Sequence, residues 1–170
     1  MQASPASAAT CGHVTGPFHQ SKARIYDSTG KVYVPHGVAV SGLERPDWPS
    51  FVAKDVSEIS AACSWGGDTV RLQVSEQHIT DPALQDALRQ EVSAAESLGL
   101  VVVINDNDEW DSPDTPMPTA RTKAFWKIVA PQYADDSQVV FDIFNEPRNH
   151  PGWRAGTRAA PPARIAAASA

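Results

Sequence analysis

The chain has 170 residues, 42% of them apolar, and a formal charge of −6 from 14 basic and 20 acidic side chains. That is enough apolar chain for one packed core, while the acidic balance supplies no basic patch to release counterions from phosphate and so excludes a general nucleic-acid partner. No run of about 18 apolar residues occurs, so no membrane-spanning helix is expected.

Residues 1–23 open as "MQASPASAATCGHVTGP", without the basic and apolar regions of a secretory leader. They are rich in small residues and read as a spacer or disordered terminus. Cys11 and Cys63 are the two cysteines. They match no CxxC or Cys/His metal spacing, and pairing in an oxidising compartment stays open beside the free-thiol reading.

"ARIYD" and "KVYVP" flank "STG", two short β-rich runs around a small turn, which predicts a hairpin. "HGVAVSG" is a short apolar run between glycines and reads as a buried strand. In "PSFVAKDVSEISAACSWGG", Phe51, Val52, Val56, Ile59 and Cys63 fall at helical spacing, with Ser50 placed to cap the start and Gly66-Gly67 to stop it. "TVRLQVS" is the next strand. "DPALQDALRQEVSAAESLG" is the next helix, with Asp81 as cap, Pro82 in the first turn and Gly99 at its close. Its apolar face is Leu84, Leu88, Val92, Ala95 and Leu98. "LVVVIN" suits a parallel strand covered on both faces. After the polar loop "DNDEWDSPDTPMP" comes a third helix in "TARTKAFWKIVAPQYADD". Ala124, Phe125, Ile128 and Val129 form its expected inner face, and Pro131 ends its regular part. "SQVVFDIF" is the fourth strand of the series.

Strands and helices alternating at these lengths predict a parallel α/β fold with right-handed crossovers. A dinucleotide-binding sheet is the structural rival, but no G-x-G-x-x-G follows the first strand and no P-loop is present. From Pro151 onward, "PGWRAGTRAAPPARIAAASA" has no apolar periodicity. Residues 151–170 read as a low-complexity, disordered tail, and an out-of-frame ending would look the same.

Chemistry in parallel α/β folds gathers at the carboxyl ends of strands. Alternation places Val70, Leu72 and Val74 on one face of "TVRLQV", and Arg71 and Gln73 on the other. In "VVFDIFNE" the same count puts Asp142 and Glu146 on a shared face. Charges on an inner face are costly unless they pair, so Arg71 and Asp142 read either as a structural pair or as part of a site. For Glu146, just past the strand in Asn145-Glu146-Pro147, the functional reading is the stronger.

The chain resembles the amino-terminal half of glycoside hydrolase family five, the group that includes many cellulases. The resemblance lies in four segments across residues 24–149. "RIYDSTGKVYVPHGVAV" resembles the opening hairpin and first strand, and "GGDTVRLQV" the second strand with its arginine. "AESLGLVVVIND" resembles the third, and "FWKIVAPQYADDSQVVFDIFNEP" the helix, fourth strand and Asn-Glu-Pro motif. The resemblance implies an eight-stranded (β/α) barrel, truncated to about its first four β/α units over residues 24–150 and opened by the hairpin. It implies a secreted glycosidase acting on a β-linked polysaccharide without a cofactor. Glu146 would be the general acid/base, Asn145 would hold the sugar 2-hydroxyl and the nucleophile, and Arg71 would support the nucleophile.

Two departures from the family pattern matter. Asn107 occupies the position where the family's third strand usually ends in histidine; it can bond a sugar hydroxyl but cannot titrate. Trp110 in the same loop reads either as a stacking surface for a pyranose ring or as a lid on the core. The acidic "NDNDEWD" lacks the glycine and terminal glutamate of a calcium loop, and no metal site is expected. The second departure is the nucleophile, which the family carries on its seventh strand and which is absent here. Glu44, Glu76 and Glu109 do not match its position. The enzyme reading therefore stands beside another, a catalytically silent fragment that binds carbohydrate. Both carry the expectation of self-association through exposed sheet edges.

Overall fold

The computed structural model describes residues 11–12, 14–107 and 118–147. A three-stranded antiparallel sheet opens the fold, formed by β1 (His19–Ser21), β2 (Arg24–Tyr26) and β3 (Val32–Tyr33) in that order. The hairpin between β2 and β3 turns where the sequence predicts. Asp27 Oδ1 accepts from the backbone N–H groups of Thr29 and Lys31, each at 2.9 Å, and Gly30 takes φ 82°. That acceptor set holds the Asp27 carboxyl below its ordinary pKa, the Thr29 hydroxyl contributing most. Ordered structure begins earlier than the boundary expected at residue 24, because β1 pairs with β2 from His19↔Tyr26 to Ser21↔Arg24.

The main sheet is parallel and runs β4 (Gly37–Val40), β5 (Thr69–Ser75), β6 (Val101–Asn107), β7 (Val139–Asp142) in both sequence and space. Three helices connect these strands: α1 (Val52–Ser64), α2 (Pro82–Ser97) and α3 (Ala120–Val129). Each connection is therefore a strand–helix–strand unit. Side chains in one row of a parallel sheet share a face, and the rows alternate. One row holds Val40, Leu72, Ile104 and Phe141; the next holds Ala39, Arg71, Val103 and Val140.

The first kind of row faces the helices. Leu72 and Ile104 are fully buried there with Ile59, Leu84, Leu88, Val92, Phe125 and Val129. Each such side chain removed from water stabilises the fold by about 1.5–3 kcal/mol. The second kind of row faces away from the helices and is partly open to solvent.

The caps show which local signals were read correctly. Asp81 caps α2, accepting from Ala83 N–H at 2.9 Å, and Gly99 closes it at φ 75°. Ser50 does not cap α1: its hydroxyl bonds the Asp47 carbonyl at 2.9 Å within a 3-10 turn, and Phe51 is the residue preceding the helix. In α3, Thr119 accepts from Arg121 N–H, and Thr122 Oγ accepts from Thr119 N–H. The inner stripe of α3 is Thr122, Phe125 and Val129, whereas Ala124 is exposed. The stripe is rotated because the Thr122 hydroxyl is drawn inward to donate to the buried Glu76 carboxylate at 2.9 Å.

The open question of the cysteines resolves as a disulfide between Cys11 and Cys63, whose Cα atoms lie 5.3 Å apart. It ties the segment before β1 to the end of α1. Cys11 N–H also donates to the Leu98 carbonyl at 2.8 Å, bringing the end of α2 to the same point. No helix among the described residues is long and apolar enough to cross a membrane.

Candidate active site

The inner face of the sheet carries its polar groups toward the carboxyl ends of the strands. Arg71 projects from the middle of β5, its side chain 29% exposed. Its Nε and Nη2 atoms both donate to Asp142 Oδ2, at 3.0 and 2.8 Å. Nη2 also donates to Asn145 Oδ1 at 2.9 Å. The structural and functional readings of Arg71 are thus joined: the ion pair with Asp142 exists, and the same guanidinium reaches the residue before Glu146. A guanidinium has five N–H donors. The three bonds use Nε and Nη2, which leaves Nη1 without a partner among the described residues.

The bond to Arg71 fixes the amide of Asn145. Its oxygen is occupied as an acceptor, so the NH2 group is the side available to donate. The Asn145 backbone is held as well, its N–H donating to the Asp106 carbonyl at 2.9 Å. One residue before the turn's Phe144, the Ile143 carbonyl accepts from Trp126 Nε1 at 2.9 Å.

Glu146 is exposed and makes no hydrogen bond or ion pair among the described residues. Its backbone lies in the left-handed region at φ 43°. That region is rare for a residue with a side chain and is sustained only where the surroundings over-determine it. Strand pairing ends at Asp142, so the alternation that was expected to put Asp142 and Glu146 on one face does not extend to Glu146.

Asn107 ends β6 and is fully buried on the same side of the strand as Asn105. Trp110 and Glu109 lie outside the described residues. Glu76, set aside as a catalytic residue, bonds Thr122 and stands 3.5 Å from Arg121 Nε, which ties the end of β5 to the start of α3. Glu44 is likewise buried beside the helical layer. Among the described residues no group of three or more His, Cys, Asp or Glu side chains could hold a metal ion.

Sequence reasoning passed over two contacts. Asn105 is fully buried in the inner row shared with Gln73 and Asp142, and its Nδ2 donates across to the Asp142 carbonyl at 3.4 Å. A lone amide closing the apolar run "VVVIN" was the available signal. Trp126 falls outside the expected inner face of α3, and nothing in the helical pattern marks its N–H as reaching the residue after β7.

A parallel sheet wound with helices on one face, with polar side chains converging at its strand ends, is the architecture of a barrel enzyme. The chain belongs to the cellulase family, glycosyl hydrolase family 5, whose family model it matches over residues 27–167. It is 28% identical over 156 residues to endoglucanase N of Pectobacterium atrosepticum, covering 90% of this chain and 34% of that protein. Endoglucanase 5 of Pectobacterium carotovorum subsp. carotovorum is 27% identical, with 90% and 30% covered. The chain therefore spans about a third of the length of these curated relatives.

Among solved structures, the catalytic domain of Thermobifida fusca endoglucanase Cel5A superposes with a TM-score of 0.62 at 25% identity, over 78% of this chain and 43% of that one. A mannanase catalytic domain from Streptomyces sp. SirexAA-E gives 0.62 at 17% identity, over 91% and 48%. The second likeness is one of fold alone. The described strands and helices are a partial barrel of that type.

Proposed function

We propose that this chain carries the acid/base part of a retaining glycosidase site that cleaves β-linked polysaccharide outside the cell. The observation that supports it most directly is the Arg71 guanidinium bridging Asp142 and Asn145, immediately before Glu146. A retaining glycosidase needs one carboxylic acid to protonate the leaving oxygen and a second carboxylate, about 5–5.5 Å away, to attack the anomeric carbon. Glu146 is the acid. It stands exposed at the strand ends, where a leaving-group oxygen can approach. Asn145, with its amide oxygen held by Arg71, offers its NH2 group to a sugar 2-hydroxyl and to the attacking carboxylate. The uncommitted Nη1 of Arg71 is the group that would keep that carboxylate ionised.

The attacking carboxylate itself comes from strands beyond the four present here. In this reading residues 24–150 are the first four β/α units of the barrel, braced from the preceding segment by β1 and the Cys11–Cys63 disulfide. Trp110 is the remaining sugar contact in this reading, whereas Asn107 is fully buried at the end of β6. The endoglucanase names among the curated relatives support a β-linked glucan as substrate.

A second reading is favoured by the partly open inner face and by β4 and β7, each paired on one side only among the described residues. By itself the chain binds carbohydrate and self-associates through those edges. Reducing-sugar release from soluble β-1,4-glucan separates the two. The chain is mixed with strands five to eight of a family barrel and run beside its Glu146→Gln variant. Release that falls at least about a hundred-fold in the variant is expected for loss of an acid/base. Equal release from both would sink the acid/base assignment. Release from neither, by folded protein, would favour the binding reading.

A further inference from the structure

β7 leaves the sheet at Asp142, yet Glu146 must be presented four residues later at one place. Beyond Asp142 the ladder no longer fixes the backbone. Two restraints come from the inner strands: Arg71 holds the Asn145 side chain and the Asp106 carbonyl holds its N–H. The third comes from the helical layer, where Trp126 Nε1 donates to the Ile143 carbonyl at 2.9 Å.

The Trp126 ring is itself fixed. It packs edge-on against Phe125, with centroids 4.9 Å apart, and against Phe141 of β7 at 5.2 Å. Indole has a single N–H and no acceptor, so that ring orientation spends its one donor on Ile143. The restraint falls where it is needed. Glu146 adopts φ 43° and is followed by Pro147. A proline disfavours helical-type conformations in the residue before it, and a side chain disfavours left-handed ones. Such a turn is kept by outside contacts or not at all.

We propose that Trp126 is a positioning residue for Glu146: its indole N–H anchors the exit of β7 from the helical side and so sets where the acid stands. The proposal rests on the reading of Glu146 as acid/base. Its first half, the anchoring, is measurable without any turnover.

Amide hydrogen exchange on the full chain tests the anchoring, comparing wild type with Trp126→Phe and with Trp126→3-benzothienylalanine, an isostere carrying sulfur in place of the N–H. Losing one hydrogen bond should speed exchange at the Asn145 amide about five- to ten-fold in both variants. Val102, Ile104 and Val129 should stay within about two-fold. An unchanged Asn145, or acceleration at all these amides together, would show that Trp126 only packs. If the phenylalanine variant fails to fold, the isostere decides alone.

In the mixed-half hydrolysis assay the isostere should lower kcat about ten-fold with KM held, as expected for loss of transition-state alignment. Faster exchange with unchanged kcat would overturn the positioning role. Should Glu146→Gln prove fully active, the acid/base reading fails by itself, and the exchange result still stands as a statement about the β7 exit.

Discussion

Leu72 and Gln73 are adjacent on β5, but Leu72 is fully buried beneath the helices while Gln73 stands half open on the other side of the sheet. The same contrast repeats at Ile104 against Val103. On the helical side the rows interdigitate with α1, α2 and α3 and hold the fold's apolar area. On the inner side they hold Arg71, Asn105 and Asp142, whose mutual bonds leave donors to spare. The lesson is a division of labour within single strands: one face supplies stability, and the other holds groups in place for chemistry.

Substitutions on the two faces of β5 sharpen this contrast, and the largest effect belongs to the helical face. Leu72→Ala removes a fully buried side chain from the centre of the core and should cost about 3–5 kcal/mol by urea unfolding. Gln73→Ala, one residue on, should stay within about 0.5 kcal/mol. Comparable losses at the two positions would mean that the inner face is covered in solution, and the contrast would collapse.

The helical layer contains one exception to its apolar rule, and this gives the second test. Asp55 of α1 and Glu91 of α2 are each about 1% exposed. Burial, then the neighbouring Asp55 charge, pushes the Glu91 carboxyl up to about 9, and burial also raises Asp55. Glu58 and Lys54 are the other charges acting on Asp55, and the Gly42 backbone approaches it from the preceding turn. Below that value the proton of the pair sits on Glu91, whose carboxyl shares a hydrogen bond with Asp55.

The sign follows from the raised value. An unfolded Glu91 gives up its proton above its ordinary value of 4.5, whereas the folded one keeps it to about 9. The group's contribution to stability is therefore full below pH 4.5 and is lost progressively as pH rises toward 9. Glu91→Gln cannot ionise, so its advantage should be absent at pH 4 and grow by up to about 1.4 kcal/mol per pH unit above 4.5. Superimposable curves of Tm against pH for variant and wild type would show that no such carboxyl pair limits the helical layer.

The two faces also differ in how much of them could be read from sequence. Period-two alternation in "TVRLQV" put Arg71 on the inner side, and helical spacing found Leu84, Leu88, Val92 and Ala95. These are patterns that burial imposes on the chain directly. The alternation failed where the strand did: it ran on past Asp142 to Glu146, although pairing stops and the backbone turns left-handed.

The rotation of α3 was hidden for a related reason. Ala124 fits an apolar stripe by type, but the Thr122–Glu76 bond sets the helix face, and a threonine gives no sign that its partner lies 46 residues earlier. The disulfide could only be left open beside the free-thiol reading, since two cysteines 52 residues apart carry no pairing rule. Local periodicity shows in sequence; a bond between distant elements shows only once the fold has brought them together.

The smallest predicted effect lies where the inner face gives way to the turn, and there stability and function should pull in opposite directions. At φ 43° Glu146 occupies a region open to glycine and costly for a residue with a Cβ. Glu146→Ala removes the carboxylate but keeps the strain. Glu146→Gly removes both, and its greater backbone freedom when unfolded offsets part of the gain. The glycine variant should therefore be about 1 kcal/mol more stable than the alanine variant, read as a higher urea midpoint at unchanged slope, and both should be silent in the hydrolysis assay. An alanine variant as stable as the glycine variant would mean that the turn relaxes once the carboxylate is gone. In that case the left-handed backbone depends on the Glu146 side chain itself, and the anchors on Ile143 and Asn145 are not what maintains it.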